Sequence, residues 1–226
     1  MTERGMSMGV QRDAYSVVKH FASSFDIVYH KIEEELKFLF SSTPLTDDVL
    51  SSRVTTLNTY YHTMLYSGTT DAIIDYLKQH GTEIEQKLRD ATHPDYSIAG
   101  AIASCESHNN FSFATKYCSF VNPDVYPIFD NQVCRVLNYY QKRDRFYGDR
   151  ADRPGRSDKP DRTGRWLRLE AARQECDYQR FVNIIDAYRD HYGLGSCTYR
   201  EIDKFLWLVG VNVRSFSDVE TERDAP

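Results

Sequence analysis

The sequence predicts an all-α protein, on three observations. Apolar residues recur at three- and four-residue spacing along most of the chain, clusters of Ser, Gly and Pro cut that pattern into helix-length pieces, and strand-like runs are short and few. A chain of 226 residues can bury a substantial core, as one domain or as two helical lobes around a cleft.

The elements follow in order. Tyr15, Val18, Phe21, Phe25, Val28, Ile32, Leu36 and Leu39 line one stripe of a first helix, which stops at Ser41-Ser42-Thr43-Pro44. A second opens near Thr46-Asp47-Asp48, where a capping hydroxyl and two acids suit the positive end of a helix, and runs to about Tyr66. Ser67-Gly68-Thr69-Thr70 is expected to break it. A third spans Asp71 to about Arg89, with a possible interruption at Gly81, and stops at His93-Pro94. Together these form an N-terminal helical region, 1–95.

Residues 96–138 hold the chemistry discussed below. From 139 to 165 the chain is polar and punctuated by Gly148, Pro154, Gly155, Pro160 and Gly164, which predicts a long basic irregular insert. Helical patterning resumes over 166–216. Phe181, Ile184, Ile185 and Tyr188 share one helix, ended by Gly193-Leu194-Gly195. Thr198 with Glu201 three residues on is a capping-box pattern that opens a last helix burying Ile202, Phe205, Leu206 and Val209. Residues 217–226 read as a charged, frayed tail.

Composition narrows the classes of function. No apolar run approaches the roughly 20 residues that span a bilayer, and the first ten residues lack the pattern of a signal peptide. Cys105, Cys118, Cys134, Cys176 and Cys197 are odd in number and scattered without a CxxC pair. They read as reduced thiols in a cytoplasmic protein, three of them core fillers, with no metal and no cofactor expected. His20, His30, His62, His80, His93 and His191 show no ligand spacing either. The net charge is −5, yet Tyr139 to Arg173 carries eleven Lys/Arg against six Asp/Glu. An acidic body with one basic stretch can hold a phosphate backbone there, because affinity follows the local field. A solvated loop is the alternative.

Ser112 to Val121 reads as a helix with small residues on one side, ended by Asn122-Pro123. Tyr126-Pro127-Ile128-Phe129 must be extended, since the residue before a proline avoids the helical region. Asp130 follows directly, at the start of a helix through Asn131-Gln132-Val133-Cys134-Arg135-Val136-Leu137. A plain N-cap accounts for an Asp at that position, and a catalytic role is compatible with it.

The run YPIFDNQVCRVL, Tyr126 to Leu137, resembles the catalytic stretch of helix-hairpin-helix DNA glycosylases, and Ala114 matches the small residue of that family's preceding helix. The resemblance covers about 30 residues and implies a glycosylase-like helical fold with a helix-hairpin-helix segment. It makes Asp130 the catalytic carboxylate, stabilising positive charge that grows on the sugar C1′. The family's Gly-x-Gly hairpin, which clamps a DNA phosphate, falls on His108-Asn109-Asn110, where side-chain donors and not glycine amides would serve. The lysine of bifunctional members falls at Phe111, so Lys116 is expected to face solvent or a phosphate, with covalent catalysis the lesser reading.

The resemblance thus implies a monofunctional enzyme that leaves an abasic site in DNA. Its target base is flipped into a pocket lined by Tyr117, Tyr126, Asn131 and Gln132. Ser112, Arg143, Arg145, Arg153 and Arg156 are further candidate DNA contacts. The sharpest expectation for substrate is glucosylated hydroxymethylcytosine in bacteriophage DNA, as an antiviral defence. The alternatives are repair of oxidised or alkylated bases, a non-catalytic DNA-binding module on the same scaffold, and a helical interaction partner in a toxin or defence system.

Overall fold

The computed structural model describes residues 4–148, 167 and 169–212, and among these the chain is helical with no strand. Helix α1 (Arg4–Ser41) is followed by α2 (Asp47–Tyr61) and α3 (Ser67–Arg89). Then come α4 (Ser97–Ala103), α5 (Phe111–Val121) and α6 (Asn131–Asp144), and finally α7 (Leu169–Gln174), α8 (Tyr178–His191) and α9 (Tyr199–Asn212). No described helix is long and apolar enough to cross a membrane.

The predicted stripe of α1 is buried or half-buried at every position but Val28, and the buried face also takes in Ala22, Glu33 and Phe40, a small shift of the face. Val18, Ala22, Phe25, Glu33, Leu36 and Phe40 are buried, whereas Val28 is exposed. The shift follows from where α1 lies, along α9 on one side and α2 on the other. It brings a carboxylate, Glu33, onto the inner face.

α2 stops five residues early because Asn58 folds the chain back. Its amide donates to Leu65 O (3.1 Å) and its carbonyl accepts from Leu65 N (3.1 Å) and Thr63 Oγ1 (2.7 Å). His62 and Met64 take left-handed backbone in this turn. The chain recovers at once, so Ser67–Thr70 form the first turn of α3 and do not break a helix. α3 also runs unbroken through Gly81, which is buried beside Leu45 and Leu50.

One buried ion pair closes the first three helices. Arg53 of α2 pairs with Glu85 of α3 and donates to Leu39 O (2.8 Å), Phe40 O (3.1 Å) and Ser42 O (3.2 Å). The guanidinium thereby satisfies carbonyls that the C-terminal end of α1 leaves without helical partners. Tyr117 of α5 donates its hydroxyl to Glu85 Oε1 (3.0 Å), tying the next helix to the same node.

The expected irregular insert is shorter than predicted at its start. α6 continues through Tyr139–Asp144 because Tyr140 packs on Tyr188 and Tyr192, and it ends where Arg145 turns left-handed. Most of the insert (149–165) and the tail lie outside the described residues, as do Trp166 and Arg168. In α9, Ile202, Phe205 and Leu206 are buried as expected and Val209 is half-buried. The capping box forms as the pattern predicts, with Glu201 N to Thr198 Oγ1 at 3.2 Å and Thr198 N to Glu201 Oε2 at 2.9 Å. Cys118 and Cys197 are the buried cysteines and Cys105, Cys134 and Cys176 are half-buried, all as free thiols.

Candidate active site

Asp130 stands at the meeting point of α5, α6 and α9. The extended, buried approach Tyr126–Phe129 is pinned to α5 by Phe129 N on Thr115 Oγ1 (3.1 Å) and by Ser112 Oγ on Phe129 O (3.2 Å). Asp130 then caps α6, with Oδ1 accepting from Gln132 N (2.8 Å). Its other oxygen, Oδ2, faces Lys116 Nζ at 3.4 Å. The helix N-terminus and the ammonium both put positive potential on this carboxylate.

Lys116 is not where the sequence places it. It is 1% exposed, against 20% for Asp130. A helical side chain leans toward the N-terminus, and Nζ reaches back one turn to Ser112 Oγ (2.7 Å), with Phe129 O at 3.5 Å. The expected solvent or phosphate contact is therefore excluded by burial. Burial pulls the amine below its ordinary pKa, with Asp130 and Asp203 partly opposing the shift. Ser112 accepts from Lys116, donates to Phe129 O and also lines the polar cleft.

Two recesses meet at Asp130. A polar cleft of about 320 Å³ is walled by the His62–Tyr66 turn, His108-Asn109-Asn110, Ser112, Asn131 and Arg173. A second recess, about 120 Å³, is more apolar and is lined by Phe25, Tyr29, Tyr60, Tyr61 and Trp207 together with Lys116, Glu33 and Asp203. So the expected neighbours Asn131 and His108–Asn110 do share a cleft with the carboxylate.

Other expected residues do not. Tyr117 and Tyr126 are wholly buried as core. The first serves Glu85, and the second accepts from Asp95 N (3.2 Å) and packs on Tyr96 and Tyr178. Gln132 lies under α9 with its amide oxygen held by Arg135 Nη1 (2.7 Å), and it takes no place in either lining. Arg143 and Arg145 sit at the far end of α6, about 20 Å from Asp130 at the helical rise per residue. There Arg143 pairs with Asp144 and stacks on Tyr140 (4.7 Å). Among the described part of the basic stretch, Arg173 is the arginine that lines the cleft. Arg153 and Arg156 lie outside the described residues.

The 108–110 turn is held from two sides: Asn109 Nδ2 donates to Arg173 O of α7 (2.7 Å) and Asn110 Nδ2 to His108 O (3.0 Å). Exposed His108 rests its Nδ1 3.0 Å from Glu106 Oε2. Hydrogen bonds from Ser107 and His108 hold Glu106 down at about 2.

The sequence reading missed an acidic and aromatic wall. Glu33 accepts from Tyr61 OH (2.9 Å) and pairs with Arg200, whose Nη1 donates to Asp203 Oδ2 (2.8 Å). Burial pushes Glu33 up, but Arg200 and Lys204 outweigh it and leave it below its usual value. Burial, then Asp130 and Glu33, push Asp203 up to about 6 against the pull of Arg200 and Lys116. The available signal was polarity on an apolar stripe: Glu33 keeps helical register with Leu36 and Phe40, and Asp203-Lys204 interrupts Ile202 and Phe205.

Comparison with known proteins adds a family without a chemistry. The model of the HI_0787_N family, described as an N-terminal domain, matches residues 13–125. A Haemophilus influenzae protein, named only as an uncharacterized protein, is 30% identical over 103 residues. That match covers 46% of this chain and 38% of the Haemophilus protein. No solved structure matches.

Proposed function

We propose that this chain, which belongs to the HI_0787_N family, is a monofunctional DNA glycosylase with Asp130 as its catalytic carboxylate. One observation carries the reading: a partly exposed carboxylate at a helix N-terminus opens both to a turn-lined cleft and to an aromatic recess. The helix-hairpin-helix resemblance of the Tyr126–Leu137 run supplies the reaction class.

A base must leave the duplex to be cut, and an aromatic recess can stack it once flipped. Asp130 then lies beside the sugar and stabilises the oxocarbenium-like C1′ while water attacks. Lys116 acts as a fixed counter-charge. Its ammonium is aimed at Ser112 Oγ, Phe129 O and Asp130 Oδ2, which occupies the donors of a nitrogen that covalent catalysis needs free.

The polar cleft next to Asp130 has room for a bulky hydroxylated substituent and offers it Thr63, Asn131 and Arg173. That supports glucosylated hydroxymethylcytosine, and with it defence against bacteriophage, as the substrate reading. Oxidised and alkylated bases are the alternative within the same chemistry.

The test is incubation with DNA carrying glucosylated hydroxymethylcytosine, 8-oxoguanine or an alkylated purine, followed by alkali to reveal abasic sites. Release from the glucosylated base alone supports the full reading, and release from another base instead moves the substrate. No release from any of them overturns the enzyme. Borohydride trapping of a protein–DNA adduct would overturn the monofunctional assignment.

A further inference from the structure

Breaking the bond between C1′ and a base nitrogen leaves the electron pair on the base. A neutral base departs badly as an anion and well once a proton has reached it, and a positioned acid is worth roughly a hundredfold or more. Asp130 is ill placed to be that acid, since it accepts from Gln132 N on one side and faces an ammonium on the other.

The aromatic recess holds a second carboxyl in a different setting. Asp203, 9% exposed, is on the inner face of α9, and its Oδ2 accepts from Arg200 Nη1 (2.8 Å), leaving Oδ1 to carry a proton. Trp207 follows one helical turn later, on the same face and lining the same recess, edge-on to Tyr29 at 5.6 Å between ring centres. A base stacked on Trp207 therefore has Asp203 along its rim. Close packing fixes this arrangement: Gly210, two turns beyond Asp203, lies against Gln132 at the start of α6.

We propose that Asp203 is the proton donor to the departing base, and that the substrate class is a neutral base that leaves only when protonated. This rests on the glycosylase reading of Asp130. The C1′–N bond breaks with its electron pair passing to the base. The Asp203 O–H bond breaks with its pair staying on the carboxylate, and the proton goes to a ring nitrogen or carbonyl oxygen of the base. Water adds to C1′ and gives its proton to Asp130 or to bulk solvent, from which Asp203 is recharged.

The surroundings of Asp203 suit a donor. Arg200 pairs with it from α9. Glu33 from α1 (itself paired with Lys204), Tyr61 and His62 from the end of α2, Lys116 from α5 and Asp130 from α6 share its recess. The balance of burial and these charges lifts its carboxyl to about 6, so a useful fraction holds its proton near neutrality. A base that already bears positive charge, such as an N7-methylated guanine, would gain nothing from it.

The experiment is single-turnover base release by the full chain from about pH 5 to about pH 9, on duplexes carrying 8-oxoguanine, glucosylated hydroxymethylcytosine or N7-methylguanine. On a neutral base the wild-type rate should fall about tenfold per pH unit above neutrality. Asp203→Asn should flatten that limb and slow release roughly a hundredfold at low pH. Asp203→Glu should keep the limb, and it carries the test if the Asn variant melts early. The wild type on N7-methylguanine should show no falling limb. A limb unchanged in Asp203→Asn, or equally present on the cationic base, overturns the proton donor alone. No release by the wild type from any base at any pH removes the Asp130 reading and this one with it.

Discussion

Gly210 of α9 lies so close to Gln132 of α6 that a Cβ built on it would sit 2.6 Å from Gln132 Cβ and 2.9 Å from Gln132 O. This contact seats α9, and with it Asp203 and Trp207, against the residues that follow Asp130. Part of the obstruction is backbone, which cannot swing aside as a flexible side chain can. Gly210→Ala should therefore lower stability by about 1–3 kcal/mol, the usual range for overpacking. Thermal melting checks it, and a variant as stable as wild type would show that the two helices part easily.

Asp130 both caps α6 and is proposed to act on C1′, and substitution can separate these roles. Asparagine caps a helix about as well as aspartate, so Asp130→Asn should keep the start of α6 and lose only the stability that comes from the carboxylate facing buried Lys116. It should nevertheless lose base release by roughly a hundredfold or more. Asp130→Ala should lose both, with about 1 kcal/mol more stability gone than in the Asn variant. Full activity in the Asn variant would leave the residue a cap only.

A buried amine whose pKa is drawn down by desolvation weakens the fold that contains it. Lys116→Met keeps the volume and removes the charge, while Asp130 retains partial access to solvent. Stability should be unchanged or higher by up to about 2 kcal/mol, and base release should fall. A marked drop in the urea midpoint would show instead that the ion pair holds the fold together.

Asp203 also predicts the pH dependence of stability. An unfolded aspartate titrates near about 3.9, and here the folded value is about 6. Between those values the folded chain holds the proton more tightly than the unfolded chain does. This contribution is fully present at low pH and is lost as pH rises toward about 6. Glu33, lowered in the fold, works in the opposite direction and loses its contribution as pH falls. Urea unfolding across this interval should show a difference between wild type and Asp203→Asn that changes with pH, by up to about 1.4 kcal/mol per unit. A constant difference would contradict the raised value.

Arg53 should be the most sensitive position away from the site. Arg53→Met removes the fully buried cation beside Glu85, leaving it the half-exposed Arg89, and takes the guanidinium donor from Leu39 O and Ser42 O at the end of α1. A loss of about 3–5 kcal/mol is expected. Adding Glu85→Gln should recover part of it, which equilibrium denaturation can measure.

Much of the helical order was legible in the chain itself. Period, stop signals and caps located α5, α6 and α9, because those signals act over a few residues: Pro127 forces an extended approach, Asp130 caps, and Thr198 with Glu201 closes a box. The ends of α2 and α3 were misjudged because Asn58 stops one helix through contacts five and seven residues ahead, and Ser67–Thr70 can begin a helix as readily as end one. The candidate site was half legible. Asp130 stood out, but Tyr117 and Tyr126, expected beside it, point into the core.

The sequence by itself determined that the chain is helical and that a carboxylate stands where an extended segment becomes a helix, since both depend on neighbours within a turn or two. Only the tertiary structure decided which groups face that carboxylate. Glu33, Lys116, Asp203 and Trp207 come from three helices far apart in the chain, and long-range burial and charge, not local spacing, set how each of them is held.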